Sequence, residues 1–327
     1  MAGGATTPRL VAAVSNAGAL GSYAAAYAQP EEIVTAVAAI RALTDRPFAV
    51  NVFAPLPVGD APDDGAMLKV MTPLYAELGL APPSLPERPP LVLADQIYTL
   101  LDERVPIVSF TFGLIADAAI DKFKERGTYL IGTATTVEEA GILERAHVDA
   151  VVAQGSEAGG HRGGDGLVGT MALVPQIVDA VRIPVLAAGG IMDGRGIAAA
   201  RILGASAAQL GAAFLCCEES GLPRSVKDAL LRANENDTVV TDAMTGRHGR
   251  AVRNRLIETL EDAGVPPLPF AWQSALLGAL RRAAVEQGRA DLQPLFAGQG
   301  LRMLRGGPAA QLVRDFAREA DPWIGGH

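Results

Sequence analysis

Short runs of β-favouring apolar residues alternate with longer stretches whose apolar side chains recur at three- and four-residue spacing, which predicts strands and helices by turns. Thr7-Pro8 places a capping residue before a proline suited to the first helical position, so a helix is expected from Pro8 to Ser15. Gly18 to Gly21 ends it, a strand is expected over 19–23, and Pro30 opens a helix whose Ile33, Val34, Val37 and Ile40 keep helical spacing. Phe48 to Phe53 is the next strand. It leads into a proline-rich excursion, residues 54–90, with its own helix from Met67 to Leu78. After a helix over 91–103 the rhythm tightens into strands at 107–112, 129–134, 150–153, 184–188 and 208–215. Helices at 115–126, 137–146, 174–181 and 195–203 separate them. Units of about twenty residues fit a strand plus a crossover helix.

The fold class that follows is α/β, a (β/α)8 TIM-type barrel whose functional loops leave the C-terminal ends of its strands. A doubly wound open sheet is the competing architecture. Seven strands are one short of eight, and the first helix starts a few residues from Met1, so the missing first strand is expected before residue 1. From Cys216 onward the strand rhythm stops, and helices are expected over 225–233, 253–263, 270–287 and 309–319. Residues 1–217 are therefore read as the barrel, with the 54–90 insertion. Residues 218–300 are read as a helical cap over its mouth, and 301–327 as a C-terminal helix returning to the wall.

Composition narrows the function more than the fold. With 327 residues, 49% of them hydrophobic, the chain can bury a barrel-sized core. A formal charge of −8 argues against a general nucleic-acid or anionic-membrane surface, leaving only a local basic cluster at Arg247, Arg250, Arg253 and Arg255. The two cysteines, Cys216 and Cys217, are neighbours; they suggest no disulfide framework or metal site, and the expected setting is the reducing cytoplasm. No signal peptide or apolar run long enough to span a bilayer is evident.

The chemistry concentrates in AVVAQGSEAGGHRGGDG, residues 150–166. A strand buried on both faces breaks at Gln154-Gly155 into a glycine-dense loop carrying one imidazole, His161. Histidine is the side chain suited to take a proton near neutral pH. Two further glycine sites follow consecutive strands: Gly189-Gly190, before a helix beginning near Arg195, and Gly211, within Gln209-Leu210-Gly211-Ala212. Exposed amides at such turns and at a helix N-terminus make an anion site, and adjacent loops at the end of a barrel favour a phosphorylated ligand. Without a GxxxxGK[ST] loop, nucleotide-triphosphate chemistry is disfavoured. His248 is a candidate for the site rim with Arg247 and Arg250. His147 reads as a structural helix end, the two cysteines as packing residues, and Glu157 and Asp165 as carboxylates flanking His161 with no role fixed by sequence. No metal constellation is present; the fourth histidine is the terminal His327.

Taken together, QGSEAGGHRGG, AAGGIMDGRG, the opening MAGG with TPRLVAAVSNAGALGS, NVFAP at 51–55 and FAGQG at 296–300 resemble the nitronate monooxygenase family over nearly the whole chain. GGH alone is shared with FMN-dependent enoyl reductases and NADH:quinone reductases on the same barrel, whereas the following Arg162 looks more like the nitronate monooxygenases. The resemblance implies one non-covalent FMN with its phosphate on Gly189, Gly190, Gln209, Leu210, Gly211 and Ala212. It places Met1, Ala2 and Gly3 along the isoalloxazine, Asn51 in a bond to the cofactor, Gln154 by the pyrimidine edge, and Gly159 and Gly160 close to the flavin. His161 matches the family's catalytic base. At two positions the chain departs from the pattern: Ala212 stands where Thr is common, and Thr111 where relatives often carry His.

The activity so implied is oxidation of a nitronate or nitroalkane by O2 to a carbonyl compound and nitrite. His161 would either remove the α-proton of the neutral nitroalkane or, as imidazolium, hold the nitronate. Two alternatives are an FMN-dependent NAD(P)H reductase of an enoyl thioester or quinone, and a flavin-binding protein without turnover.

Overall fold

Val151 and Val152, flanked by alanines, lie in a strand with almost no exposed surface, and the chain is built outward from it. The computed structural model describes residues 1–56, 59–89 and 93–324. Parts of the expected 54–90 excursion and the start of the following helix, at 57–58 and 90–92, lie outside the described residues, as does His327. Ten strands are present among the described residues: β1 (Gly21–Ala24), β2 (Phe48–Phe53), β3 (Ile107–Thr111), β4 (Tyr129–Ala134), β5 (Ala150–Gln154), β6 (Gly160–His161), β7 (Val185–Ala188), β8 (Ala207–Gln209), β9 (Thr238–Thr241) and β10 (Gly249–Val252).

Seven of them form one parallel sheet in the order β1-β2-β3-β4-β5-β7-β8, curled into a TIM-type barrel and surrounded by helices. The seven-strand count therefore holds, since the short β6 belongs to a second sheet. Crossover helices explain the parallel pairing, because each returns the chain to the same end of the sheet. Their inward faces bury Ile33, Val37, Ile40, Leu100, Phe123 and Ile177 against strand residues such as Val50, Val108 and Val151. Thr7 caps the first helix, Pro8–Asn16, through its side-chain oxygen, which accepts from the Leu10 amide.

The region read as an all-helical cap contains a hairpin. β9 and β10 pair antiparallel, and β10 also pairs with β6, so Gly249 lies opposite His161. The strands escaped the sequence pattern because each is four residues long and β10 begins on a glycine and carries a buried Arg250. A second correction concerns β8, which stops at Gln209; Gly211 turns the chain into a 3-10 turn over Ala212–Phe214, so 208–215 is not one strand. Similarly, 270–287 is two helices, Trp272–Leu276 and Gly278–Glu286. The insertion helix Gly65–Glu77 does not pack on the barrel core. Its Met67, Met71 and Leu74 share a separate apolar cluster with Leu256, Trp272 and Leu280.

Candidate active site

The loop that leaves β5 is held from three sides. Gln154 donates from Nε2 to the His161 carbonyl at 3.2 Å and accepts the Gly163 amide on Oε1 at 2.8 Å. Arg162, 2% exposed, donates to the carbonyls of Gly155, Gln154 and Gly166 at 2.6, 3.1 and 3.0 Å. Its own amide donates to the His248 carbonyl at 2.9 Å, continuing the β6–β10 pairing. Glu157 does not orient the imidazole: its carboxylate accepts the Thr170 amide at 2.8 Å and so caps the helix Thr170–Ala180. This long-range cap starts the helix four residues before the expected Val174. Gly159 admits the segment 297–298, since a Cβ there would sit 2.3 Å from the Ala297 carbonyl carbon.

His161 projects into a cage of phenylalanines. The rings of Phe53, Phe112 and Phe270 meet it edge-on, each with centroids 5.7 Å away, and Phe296 lies at 5.2 Å. Phe112 and Ala271 have φ of 78° and 79°, a conformation uncommon outside glycine, so backbone strain borders this cage twice. Nε2 lies 2.9 Å from Thr245 Oγ1, and that hydroxyl lies 3.1 Å from the Arg247 carbonyl. Because a carbonyl can only accept, the arrangement satisfying all three groups has Thr245 donating to Arg247 and Nε2–H donating to Thr245. Nδ1 then carries the free lone pair.

Burial, with the Arg247 and Arg281 guanidiniums next in importance, pushes His161 down to about 3. The ring is neutral at pH 7, so the imidazolium expected as an alternative is not the resting form. Positive charge comes instead from Arg247, whose guanidinium lies 3.9 Å from the Phe112 ring centre, and from Arg281 on the helix Gly278–Glu286. The His248 side chain is 62% exposed and lies 4.0 Å from Asp242, while its carbonyl accepts the Arg162 amide. The basic cluster also dissolves on folding. Arg250 donates to Ser156 O and Thr238 Oγ1, Arg253 pairs with Glu261, and Arg255 pairs with Glu77.

The two glycine turns leave adjacent parallel strands, with Ala188 opposite Gln209. Gly189 and Gly190 have φ of 120° and 69°. The amides of Gly189, Gly190, Gly211 and Ala212 donate to no protein acceptor among the described residues, so four N–H groups are available to an anion. The following helix does not add its N-terminus, because Asp193 accepts the Arg195 and Gly196 amides and Glu319 accepts that of Gly194. Met1 lies beside Gly211 and packs on the same apolar cluster as Leu210 and Ala212, and Ala2 packs on the cluster that contains Phe53 and Phe112, so Met1 and Ala2 connect the turns to the cage. Gly3 lies beside Arg281. Asn51 Nδ2 donates to Ser109 Oγ at 3.0 Å, and the Thr111 hydroxyl is buried without a partner near Gly163.

The remaining candidates are structural. Cys216 and Cys217 are buried free thiols that burial pushes up to about 11, which keeps them protonated and unreactive. His147 takes φ of 62° just beyond the helix Val137–Arg145. No group of potential metal ligands occurs among the described residues, and no described helix is long and apolar enough to cross a membrane.

Comparison with known proteins supplies the class of enzyme. The sequence profile described as nitronate monooxygenase matches residues 1–319. A probable nitronate monooxygenase of Staphylococcus saprophyticus is 41% identical over 97% of this chain and 92% of its own length. One from Bacillus subtilis is 43% identical over 93% and 89%. Among solved structures, nitroalkane oxidase from Streptomyces ansochromogenes superposes with a TM-score of 0.92 at 39% identity, covering 99% of this chain and 95% of its own. FabK from Thermotoga maritima gives 0.79 at 32%, over 99% and 92%. The chain is thus an oxidoreductase by kinship, and it belongs to the nitronate monooxygenase family.

Proposed function

We propose that the enzyme binds one FMN and oxidises alkyl nitronates, and the nitroalkanes that give rise to them, with O2 to carbonyl compounds and nitrite. The observation that carries this reading is a neutral imidazole, caged by aromatic rings and flanked by two guanidiniums, on a loop packed against the Gly189 turn. Bound FMN would supply the electron acceptance that no side chain here offers.

Four backbone amides, at Gly189, Gly190, Gly211 and Ala212, would hold the phosphate, with Gln209 and Leu210 shaping the second turn. Ala212 offers no hydroxyl to it; a hydrogen bond to a charged group contributes about 1.5–3 kcal/mol. Met1, Ala2 and Gly3 would lie along the ring system, with Asn51, Gln154, Gly159, Gly160 and the unpartnered Thr111 hydroxyl near its polar edges. His161 Nδ1 takes the α-proton of a neutral nitroalkane while Thr245 holds Nε2–H, so the ring stays oriented as charge develops. Arg247 and Arg281 then favour the nitronate anion over its neutral parent. The phenylalanine cage excludes water, which strengthens these interactions.

A second reading, NAD(P)H-dependent reduction of an enoyl thioester or quinone, is kept in view by the likeness to FabK. The two separate on the purified protein. The proposal expects bound FMN, released on denaturation and identified by mass, with nitrite formed from ethyl nitronate under air and slow flavin bleaching by NADH. Rapid bleaching by NADH with no nitrite from any nitronate would establish the reductase instead.

A further inference from the structure

Two peptide planes of the turn after β7 are held from outside it. The Ala188 carbonyl accepts the amide of Gly155, where the loop bearing His161 begins, at 2.8 Å. A trans peptide sets its N–H opposite its carbonyl, so the Gly189 amide faces away from that loop. The next carbonyl, that of Gly189, lies 3.0 Å from Thr170 Oγ1, and no other donor reaches it among the described residues. By the same geometry this contact turns the Gly190 amide to the open side. Thr170 is wedged in place: a Cβ at Gly155 would collide with its hydroxyl, and one at Gly189 would lie 2.6 Å from it. The hydroxyl has one proton and acceptors on two sides, the Gly189 carbonyl, with that of Ala188 more distant at 3.4 Å, and Glu157 Oε2 at 2.8 Å. Glu157 also accepts the Thr170 amide at 2.8 Å, so the carboxylate is served whichever way the hydroxyl turns. The Gly189 carbonyl is served only when the proton faces it.

We propose that Thr170 is a positioning residue for the cofactor phosphate: its hydroxyl, donating to the Gly189 carbonyl, holds the Gly189–Gly190 peptide so that the Gly190 amide faces the anion. The inference rests on the proposed FMN and on the seat of its phosphate in this turn. Glu157 backs Thr170 from the His161 loop, so one chain of hydrogen bonds joins the anion cradle to the loop that carries the base. With Ala212 contributing no hydroxyl, the alignment of the amides carries more of the grip.

The test is equilibrium dialysis of the full-length protein against FMN and, separately, riboflavin, which differ by the phosphate alone. Thr170→Val nearly keeps the shape of the side chain and removes the donor. It is expected to bind FMN at least about tenfold more weakly than the parent, with riboflavin affinity unchanged; Thr170→Ala takes its place if the first variant fails to fold. Thr170→Ser retains the hydroxyl and should hold FMN as the parent does. In Glu157→Gln, Nε2 can donate to Thr170 Oγ1 while Oε1 accepts the Thr170 amide, so FMN should stay at least as tightly bound. Equal losses of FMN and riboflavin in Thr170→Val would mark a merely structural role and overturn the assignment. Undiminished FMN affinity in that variant, or an equally large loss in Glu157→Gln, overturns it too. A parent that binds neither flavin removes the FMN reading and the assignment with it, whereas normal FMN binding with no nitrite from any nitronate removes the reaction and leaves Thr170 in its role.

Discussion

Two glycine-rich regions of this chain look alike as sequence and differ as structure. In the loop after β5, glycines are required because other protein atoms occupy the space of a side chain: backbone at 297–298 beside Gly159, Glu139 beside Gly164, and Thr135 beside Gly166. At the turns after β7 and β8 the amides face no protein acceptor; a Cβ at Gly211 would meet only the Met1 side chain at 3.7 Å, whereas one at Gly189 would meet Thr170 Oγ1 at 2.6 Å and one at Gly190 the Glu157 side chain at 3.2 Å. The first region spends its glycines on fixing a histidine; the second leaves its backbone open for a ligand. A glycine count cannot distinguish these roles, whereas the acceptors that the backbone amides of the two turns lack can.

Substitutions can break this contrast, beginning with the largest effect. Arg162→Leu strands three carbonyls of the β5 loop, at 1–3 kcal/mol for each unsatisfied group, so a loss of about 3 kcal/mol or more is expected in denaturant unfolding, with or without added FMN. Gly159→Ala drives a Cβ into backbone rather than a flexible side chain and should cost about 1–3 kcal/mol by the same measurement. Acid titration probes the cage itself. His161 is depressed by burial, then by Arg247 and Arg281, so between its folded value of about 3 and its ordinary value of 6.5 the unfolded chain holds a proton that the folded chain lacks. This contribution favours folding above pH 6.5 and is lost as pH falls towards 3, at up to roughly 1.4 kcal/mol per pH unit. Unfolding measured against pH should show that slope, and His161→Ala should remove it. Gly211→Ala has the smallest effect on the fold, within about 0.5 kcal/mol, yet it should weaken FMN in equilibrium dialysis because the new methyl enters the proposed cradle.

Much of this architecture is legible in the sequence because local and global signals agree. Strands such as 150–153 are apolar on both faces, and Thr7-Pro8 announces its helix. The glycine turns and His161 stand out for the same reason: their neighbours fix a strand end. Other features depend on contacts far along the chain. The start at Thr170 relies on Glu157, thirteen positions earlier. β10 is hidden by Arg250, whose charge is satisfied by the Ser156 carbonyl and Thr238. Phe53, Phe112, Phe270 and Phe296 come from four separate segments, so no spacing rule could have joined them around His161. Thr245 gave no warning at all. Arg281 carries a faint signal as one of two adjacent arginines in a helix whose apolar face is otherwise regular.

The central claim is that His161 accepts the substrate's α-proton, and it is tested most directly by comparing nitrite release from nitroethane and from preformed ethyl nitronate, in the parent enzyme and in His161→Ala. The account predicts a fall of at least about 100-fold with nitroethane, substantial retained activity with the nitronate, and undiminished bound FMN. Equal losses on both substrates, or full activity on both with FMN retained, would contradict it.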